Sequence, residues 1–410
     1  MRENKFFDES KVQMLSLDEI ARQGAKEMLR MALQAELKAY MESVSDERLV
    51  DGRRAVVRNG NHRPRMITVG SGTIEAVVPR ARHRMKQSGA QDFSSSIIPP
   101  YMRRSPKIDE VVPLLYLRGL STGDIFPALE KLLGKETSGL SAANVSRLKT
   151  AWEHEYAQWH KRDLSEKRYC YIWADGIHFN IRFGDNRLCV LVVIGATPDG
   201  EKELITVASG YRESVESWSC VLRDLKERGL KEPKLATADG ALGFWGALAD
   251  VFPECKWQRC WVHKTANVLD KMHKAAQGRA KTMLHEIYLA GTRKDAEKGF
   301  DAFIATFEAK YPKAVQCLTK DREHLFAFFD FPAYHWKHIR STNTIESPFA
   351  TVRLRTNKTR GHGTEKSTHM FVFKLLEQAQ QRWHKLAGSN LIPLVLAGAN
   401  FIDGELIKAA

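Results

Sequence analysis

The stretch Tyr169-Cys-Tyr-Ile-Trp-Ala-Asp-Gly176 reads as a short, aromatic, β-prone strand that delivers an aspartate followed by glycine. The same ending recurs in Lys234-Leu-Ala-Thr-Ala-Asp-Gly240. Between them, residues 188–194 are continuously apolar, as expected of a strand buried on both faces. Residues 204–208 make a third strand. An amphipathic helix over 214–228 carries Trp218, Val221, Leu222 and Leu225 on one face. A further helix over 242–251 leads to a short strand at 255–259. Three strands, then helix, strand, helix and strand, predict an α/β layer with a mixed sheet. Both aspartates are expected at strand ends, where Asp-Gly turns the chain.

Outward from this layer the pattern changes. Residues 263–331 have helical periodicity and no strand-like stretch. Toward the N-terminus, residues 16–44 predict a helix, with Ser16 as N-cap and Glu19 three positions on. A basic stretch follows, rich in Gly, Asn and Arg, and then a short alternating strand over 72–79 stopped by Pro79. Residues 87–100 are polar and Ser-rich and read as a linker. Three short helices are expected over 106–152, compatible with a helix-turn-helix whose recognition helix spans 141–152 and presents Asn144 and Arg147. Generic three-helix packing fits this pattern equally.

Composition narrows the function. A chain of 410 residues, 43% hydrophobic and 27% charged, suits two or three globular units. The longest apolar run is nine residues, 188–196, too short for a membrane-spanning helix. The N-terminus lacks the apolar core of a secretory signal, and six scattered cysteines suit a reducing compartment, so a cytoplasmic protein is expected. The net charge of +14 points to a polyanionic partner. Nine Lys or Arg residues, among them Arg53, Arg54, Arg58, Arg80, Arg82 and Arg84, lie between positions 52 and 86 beside a single acid, Glu75. Arg353, Arg355, Lys358 and Arg360 form a second cluster. Separate basic stripes are what contact along a phosphate backbone requires, so DNA or RNA is the leading partner.

One Asp-Gly is ordinarily a turn, but two in matching contexts suggest facing carboxylates. Such a pair is stable as anions chiefly with a cation between, and oxygen-only ligands favour Mg²⁺ or Mn²⁺. A third acid, Glu346, stands in Ser341-Thr-Asn-Thr-Ile-Glu-Ser-Pro-Phe-Ala-Thr-Val-Arg-Leu-Arg. Ile345, Phe349 and Val352 would pack on the sheet, leaving Glu346 at the border of the buried face. Taken alone, Glu346 reads equally as a solvated acid favoured by the helix dipole. Pro348 is expected in the first turn of that helix, or at its first position with Glu346 just outside. His178, three residues after Asp175, reads as an ordinary strand residue, with contact to substrate as the alternative. Cys260 and His263, with Cys255 upstream, are zinc-ligand types, yet no second pair completes a four-ligand site. They are expected to organise the strand–helix turn behind Asp239.

Together these motifs resemble the IS256, or Mutator-type, DDE transposases. The two Asp-Gly strands, Gln258-Arg-Cys-Trp-Val-His-Lys and Ser341-Thr-Asn-Thr-Ile-Glu carry the resemblance. So do Arg58-Asn-Gly, Val78-Pro-Arg-Ala-Arg and Ile194-Gly-Ala-Thr-Pro-Asp-Gly, so it covers nearly the whole chain. It implies an RNase H-like mixed-sheet catalytic domain with an all-α insertion, preceded by a mostly helical DNA-binding region. The parts would be residues 1–100, a helix-turn-helix-like domain at 104–160, the first part of the core at 166–262, the insertion at 263–335 and the Glu-bearing helices at 336–410. The family's catalytic, metal-holding triad falls on Asp175, Asp239 and Glu346, and its Cys-x2-His signature on Cys260 and His263. The resemblance implies two Mg²⁺ or Mn²⁺ ions, double-stranded DNA as partner (the element's terminal inverted repeats and the target), and a homodimer or larger synaptic complex. The rival readings are an RNase H-like nuclease or resolvase, which cuts without joining, and a non-enzymatic DNA-binding derivative.

Overall fold

The computed structural model describes residues 15–84, 92–118, 120, 122–133, 142–180, 187–210, 212–240, 242–358 and 365–407. The chain divides into two compact units, 1–148 and 149–410.

In the first unit, α1 (Leu17–Ser43) begins at the expected capping box. Ser16 Oγ accepts from the Glu19 N–H at 3.3 Å, and the Glu19 carboxylate accepts from the Ser16 N–H at 2.8 Å. The basic region after it is built of four short strands, where only the one over 72–79 was expected. β1 (Val56–Asn61) pairs antiparallel with β4 (Pro79–His83), and β2 (Arg65–Val69) with β3 (Gly72–Ala76). Exposed arginines at the outward positions hide the period-2 signal: Arg80 and Arg82 flank the buried Ala81. Pro79 opens a strand rather than stopping one, since the first position is where a missing N–H is tolerated. Leu33 of α1 packs with Ile67, Ala76, Val78 and Ile98, and Leu37 packs with Val56 and Ala81. Residues 92–100 are tied down rather than free. Ser95 and Ser96 donate to the Glu36 carboxylate at 2.5 and 2.6 Å, and Ile98 is buried. The rest of the expected linker, 87–91, lies outside the described residues. The three expected helices are α2 (Pro106–Leu117), α3 (Thr122–Leu133) and α4 (Ala142–His160), the last running on past 152.

The second unit is built on a five-stranded mixed sheet of order β7-β6-β5-β8-β9. Its strands are β5 (Tyr171–Asn180), β6 (Arg187–Ala196), β7 (Lys202–Gly210), β8 (Leu235–Ala238) and β9 (Lys256–Arg259). β6 is antiparallel to β5 and β7, while β8 is parallel to β5 and β9 to β8. β5, β7, β8 and β9 therefore run one way, and their carboxyl ends lie along one edge. Helices α5 (Val215–Glu227) and α6 (Leu242–Val251) cover one face. Trp218, Leu222, Leu225, Phe244 and Leu248 interdigitate there with Ile172, Ala174, Leu191, Val193 and Ala236. The opposite face carries Trp173, whose indole donates to the His338 carbonyl at 3.0 Å, and Thr237, whose hydroxyl donates to the Ile339 carbonyl at 2.7 Å.

After β9 every described element up to Ile339 is helical: α7 (Trp261–Leu269), α8 (Lys274–Leu289), α9 (Arg293–Phe307), α10 (Pro312–Thr319), α11 (Arg322–Leu325), two 3₁₀ turns and α12 (Trp336–Ile339). Then α13 (Asn343–Lys358) packs on β5 and α14 (Glu365–Gln380) on β7. All six cysteines are free thiols. Among the described residues no helix is long and apolar enough to cross a membrane.

Candidate active site

The parallel pairing of β5 with β8 sets Ala174 beside Ala238, so the next residue on each strand is an aspartate, side by side at the sheet's carboxyl edge. Asp239 follows the last residue of β8, as expected. Asp175 does not end its strand: it sits inside β5 opposite Val192, and the pairing with β6 continues to Asn180 and Arg187. The strand outlasts β8 because its other neighbour is still there to bond it. Asp175 is nearly buried, at 9% exposure. Burial, then the charges of Asp239 and Glu213, push its carboxyl up to about 7, against the Gly176 N–H, which donates to it at 2.8 Å, and the charge of His263.

Glu213 is the residue that the sequence reading missed. It lies between β7 and the N-cap of α5, Ser214, and one carboxylate oxygen each from Glu213, Asp175 and Asp239 lie within 4.8 Å of one another. Gly176 is the reason it fits. A Cβ there would stand 2.5 Å from Glu213 Oε1 and 2.6 Å from its Cδ, so the glycine serves close approach and not a turn. Gly243 near the start of α6 makes similar room for the Glu213 backbone. His178, read as an ordinary strand residue, places Nε2 3.1 Å from Glu213 Oε1. Burial and Asp239 raise the Glu213 carboxyl, while His178 opposes. The available signal was topological: an acid just beyond a strand that runs parallel to β5 and β8.

Glu346 stands in the first turn of α13, with its N–H donating to the Thr342 carbonyl at 3.0 Å. Pro348 lies inside that helix as its sixth residue, which corrects both expected placements. Its missing N–H removes only the bond to the Thr344 carbonyl, so the turn bearing Glu346 stays intact. Glu346 belongs to a second group, with Cys260 and His263, whose ligand atoms also lie within 4.8 Å of one another. The Thr342 hydroxyl donates to Glu346 Oε1, and His263 Nδ1 is 3.6 Å from that same oxygen. His263 is pushed up to about 9, first by its hydrogen bond to Cys260 and then, against burial, by the charges of Cys260, Glu346 and Asp239. It also acts on Asp175. His263 thus interacts with the charges of both groups, Glu346 on one side and Asp175 and Asp239 on the other, which couples the two electrostatically.

β9 and α6 brace this edge, and the helical segment holds the brace in turn. Arg259 donates to the Asp239 carbonyl at 2.9 Å, as does the Trp245 indole at 3.0 Å. Arg259 is in turn 3.2 Å from Asp321, which the buried Lys264 holds at 2.5 Å. A cleft of about 830 Å³ opens beside Gly240, lined by Arg259, Lys264, Lys271, Lys313, Lys320 and Asp321 among others. Of the other expected contacts, Arg53, Arg54, Arg58, Arg80, Arg82, Arg84 and Arg353 are exposed, and Arg355 is half-buried. The side chains of Asn144, Arg147 and Lys358 and the whole of Arg360 lie outside the described residues.

The chain spans nearly the full length of several known proteins. It is 48% identical over 301 residues to the transposase for insertion sequence element IS6120 of Mycolicibacterium smegmatis, covering 73% of this chain and 93% of that one. It is 49% identical over 279 residues to the transposase for IST2 of Acidithiobacillus ferrooxidans, covering 68% and 94%. The transposase for IS256 in transposon Tn4001 of Staphylococcus aureus is 27% identical over 371 residues, covering 89% and 91%. Among solved structures, the magnesium-bound catalytic core of HTLV-2 integrase covers 32% of this chain and 92% of its own at 14% identity, with a TM-score of 0.18, too slight a likeness to bear on fold or chemistry. The family profile described as Transposase, Mutator family matches residues 3–386, and the chain belongs to that family.

Proposed function

We propose that this protein is the transposase of an insertion sequence, with an RNase H-like core that cuts DNA at the element's ends and joins the freed 3′-hydroxyls to a target. The carrying observation is the β5–β8 register, which brings Asp175 and Asp239 together, with Glu213 beside them and with Glu346 grouped with His263, whose charge is coupled to both aspartates. Strand order and directions support the RNase H-like reading, as does the all-helical stretch between β9 and α13 standing as the insertion.

The donor set fits a hard divalent cation: carboxylate oxygens only, one of them on a buried acid whose ionised form is disfavoured while no cation compensates it. Asp175, Asp239 and Glu346 would hold two Mg²⁺ or Mn²⁺ ions, with Glu213 as a further oxygen donor. When bound, such ions activate water or a 3′-hydroxyl and stabilise the departing 3′-oxygen in an in-line displacement. The chain itself contributes position. Buried β5 and the Arg259 brace keep both aspartates fixed, so little reorganisation is needed on reaction. The lysines of the cleft beside Gly240, with Arg353 and Arg355, would hold the DNA backbone without reading sequence. Recognition of the terminal repeats would fall to the exposed arginines of β1 and β4 and to the helices of residues 106–160, acting in a dimer or larger synaptic complex.

The test is Mg²⁺-dependent cleavage and joining of end-sequence DNA by the wild-type protein and by Asp239→Ala. The proposal expects the variant to bind DNA and neither cut nor join. Full activity from the folded variant would remove Asp239 from the mechanism, and cutting without joining by the wild type would favour a nuclease.

A further inference from the structure

The geometry of the Cys-x2-His pair points to a task beyond the strand–helix turn it helps form. Cys260 follows β9 as the N-cap residue of α7, and His263 lies one turn on. Both face Thr342, which is fully buried just before α13. The Thr342 N–H donates to Cys260 Sγ at 3.3 Å. The Thr342 hydroxyl lies 3.2 Å from Cys260 Sγ and 3.3 Å from His263 Nδ1, and it donates to Glu346 Oε1.

A hydroxyl has one proton and can also accept. With the one hydroxyl proton on Glu346, the Thr342 N–H serves the sulfur and the Thr342 oxygen can accept from His263 Nδ1–H, while the Thr342 hydroxyl only touches Cys260 Sγ. Glu346 Oε1 is then held by Thr342 with His263 close by. Among the described residues, no hydrogen bond reaches Oε2. The carboxylate is therefore fixed through one oxygen while the other is available.

We propose that Cys260, His263 and Thr342 are positioning residues that clamp Glu346 through Oε1 and leave Oε2 to a divalent cation, with the Thr342 hydroxyl as the junction. None of the three is itself a ligand in this arrangement. A side chain as long as glutamate's, on the first turn of a helix, has several rotamers to choose from, and the clamp selects one before the cation arrives. Outer partners that orient a ligating carboxylate are commonly worth about 10- to 100-fold in metal affinity.

The inference rests on the reading of Glu346 as a metal-holding residue, and the test separates the two. Mn²⁺ binding to the full-length protein, without DNA, is measured by titration calorimetry for wild type, Glu346→Gln, Thr342→Val, Thr342→Ser and Cys260→Ala, with thermal unfolding of each metal-free protein alongside. Thr342→Val keeps the side chain's volume and removes only the hydroxyl, whereas Thr342→Ser keeps the hydroxyl. The expected result is that Thr342→Val weakens Mn²⁺ by about tenfold or more, that Thr342→Ser stays near wild type, and that Cys260→Ala weakens it several-fold. If Glu346→Gln weakens Mn²⁺ while Thr342→Val binds as wild type does, the clamp is wrong and the metal reading stands. If Glu346→Gln leaves Mn²⁺ binding unchanged, Glu346 is not a ligand and both fall. Should Thr342→Val not fold, Cys260→Ala against Thr342→Ser decides the same question, since wild-type binding by Cys260→Ala overturns the clamp.

Discussion

Asp175→Asn should make the metal-free protein more stable, and only at the right pH. The wild-type carboxyl stands at about 7 in the folded chain, against an ordinary value of 3.8, because it is buried beside Asp239 and Glu213. That difference is on the order of 4 kcal/mol set against the ionised form. The folded state keeps its proton up to about pH 7, whereas the unfolded chain releases it near pH 4. Between these values the folded state binds more protons, so wild-type stability falls as pH rises and stays reduced above about 7. Asparagine has no charge to bury, is nearly the same size, and can still accept from the Gly176 N–H. The variant should therefore gain up to about 4 kcal/mol at pH 8 and almost nothing at pH 4. Urea unfolding in EDTA, followed by tryptophan fluorescence, reads this directly. All nine tryptophans lie within residues 149–410, so the signal reports that unit alone. No gain at pH 8, or an equal gain at pH 4, would refute the electrostatic account of this site.

The same acid predicts that Mn²⁺ affinity rises with pH through about 7 and then levels off, because the cation must displace the Asp175 proton; calorimetric titrations at several pH values would show it. Glu213→Gln, measured at pH 8, should weaken Mn²⁺ by about tenfold or more while leaving DNA affinity unchanged. Gly243→Ala should destabilise the second unit by about 1–3 kcal/mol in the urea assay, since its Cβ would meet the Glu213 carbonyl and the backbone of Ser214 and Val215, which cannot swing aside. Replacing Arg80 and Arg82 together by alanine should lower the salt dependence of duplex binding by about 1.8 in log–log slope, with little change in thermal stability because both side chains are exposed. An unchanged slope would place the DNA elsewhere.

Much of this protein was legible from residue order alone. Continuous apolarity over residues 188–194 marks a strand buried on both faces, and the order of strands and helices after Tyr169 implies a mixed sheet, because those signals are local and periodic. The capping box at Ser16 and Glu19 is equally local. In the basic region only the strand over 72–79 was legible. The outward positions of β4 carry long cationic side chains, and β1 pairs with β4, with two strands between them in sequence.

At the site the division is sharper. Asp175, Asp239 and Glu346 stand out by motif and context, yet sequence could not show that Asp175 lies inside its strand, since that depends on β6 outlasting β8 as a partner. Nor could it show the α13 start at Asn343, which leaves Pro348 beyond the turn that carries Glu346. Glu213 has no motif at all. Its place is decided by the common direction of β5, β7, β8 and β9, by the missing side chain at Gly176 and by the approach of α6 at Gly243. Residue types and their spacing determine which groups can ionise and which segments form strands. Which carboxylates meet, and which of their oxygens is left over, depends on strand register and on contacts made by residues far apart in the chain, which only the tertiary structure decides.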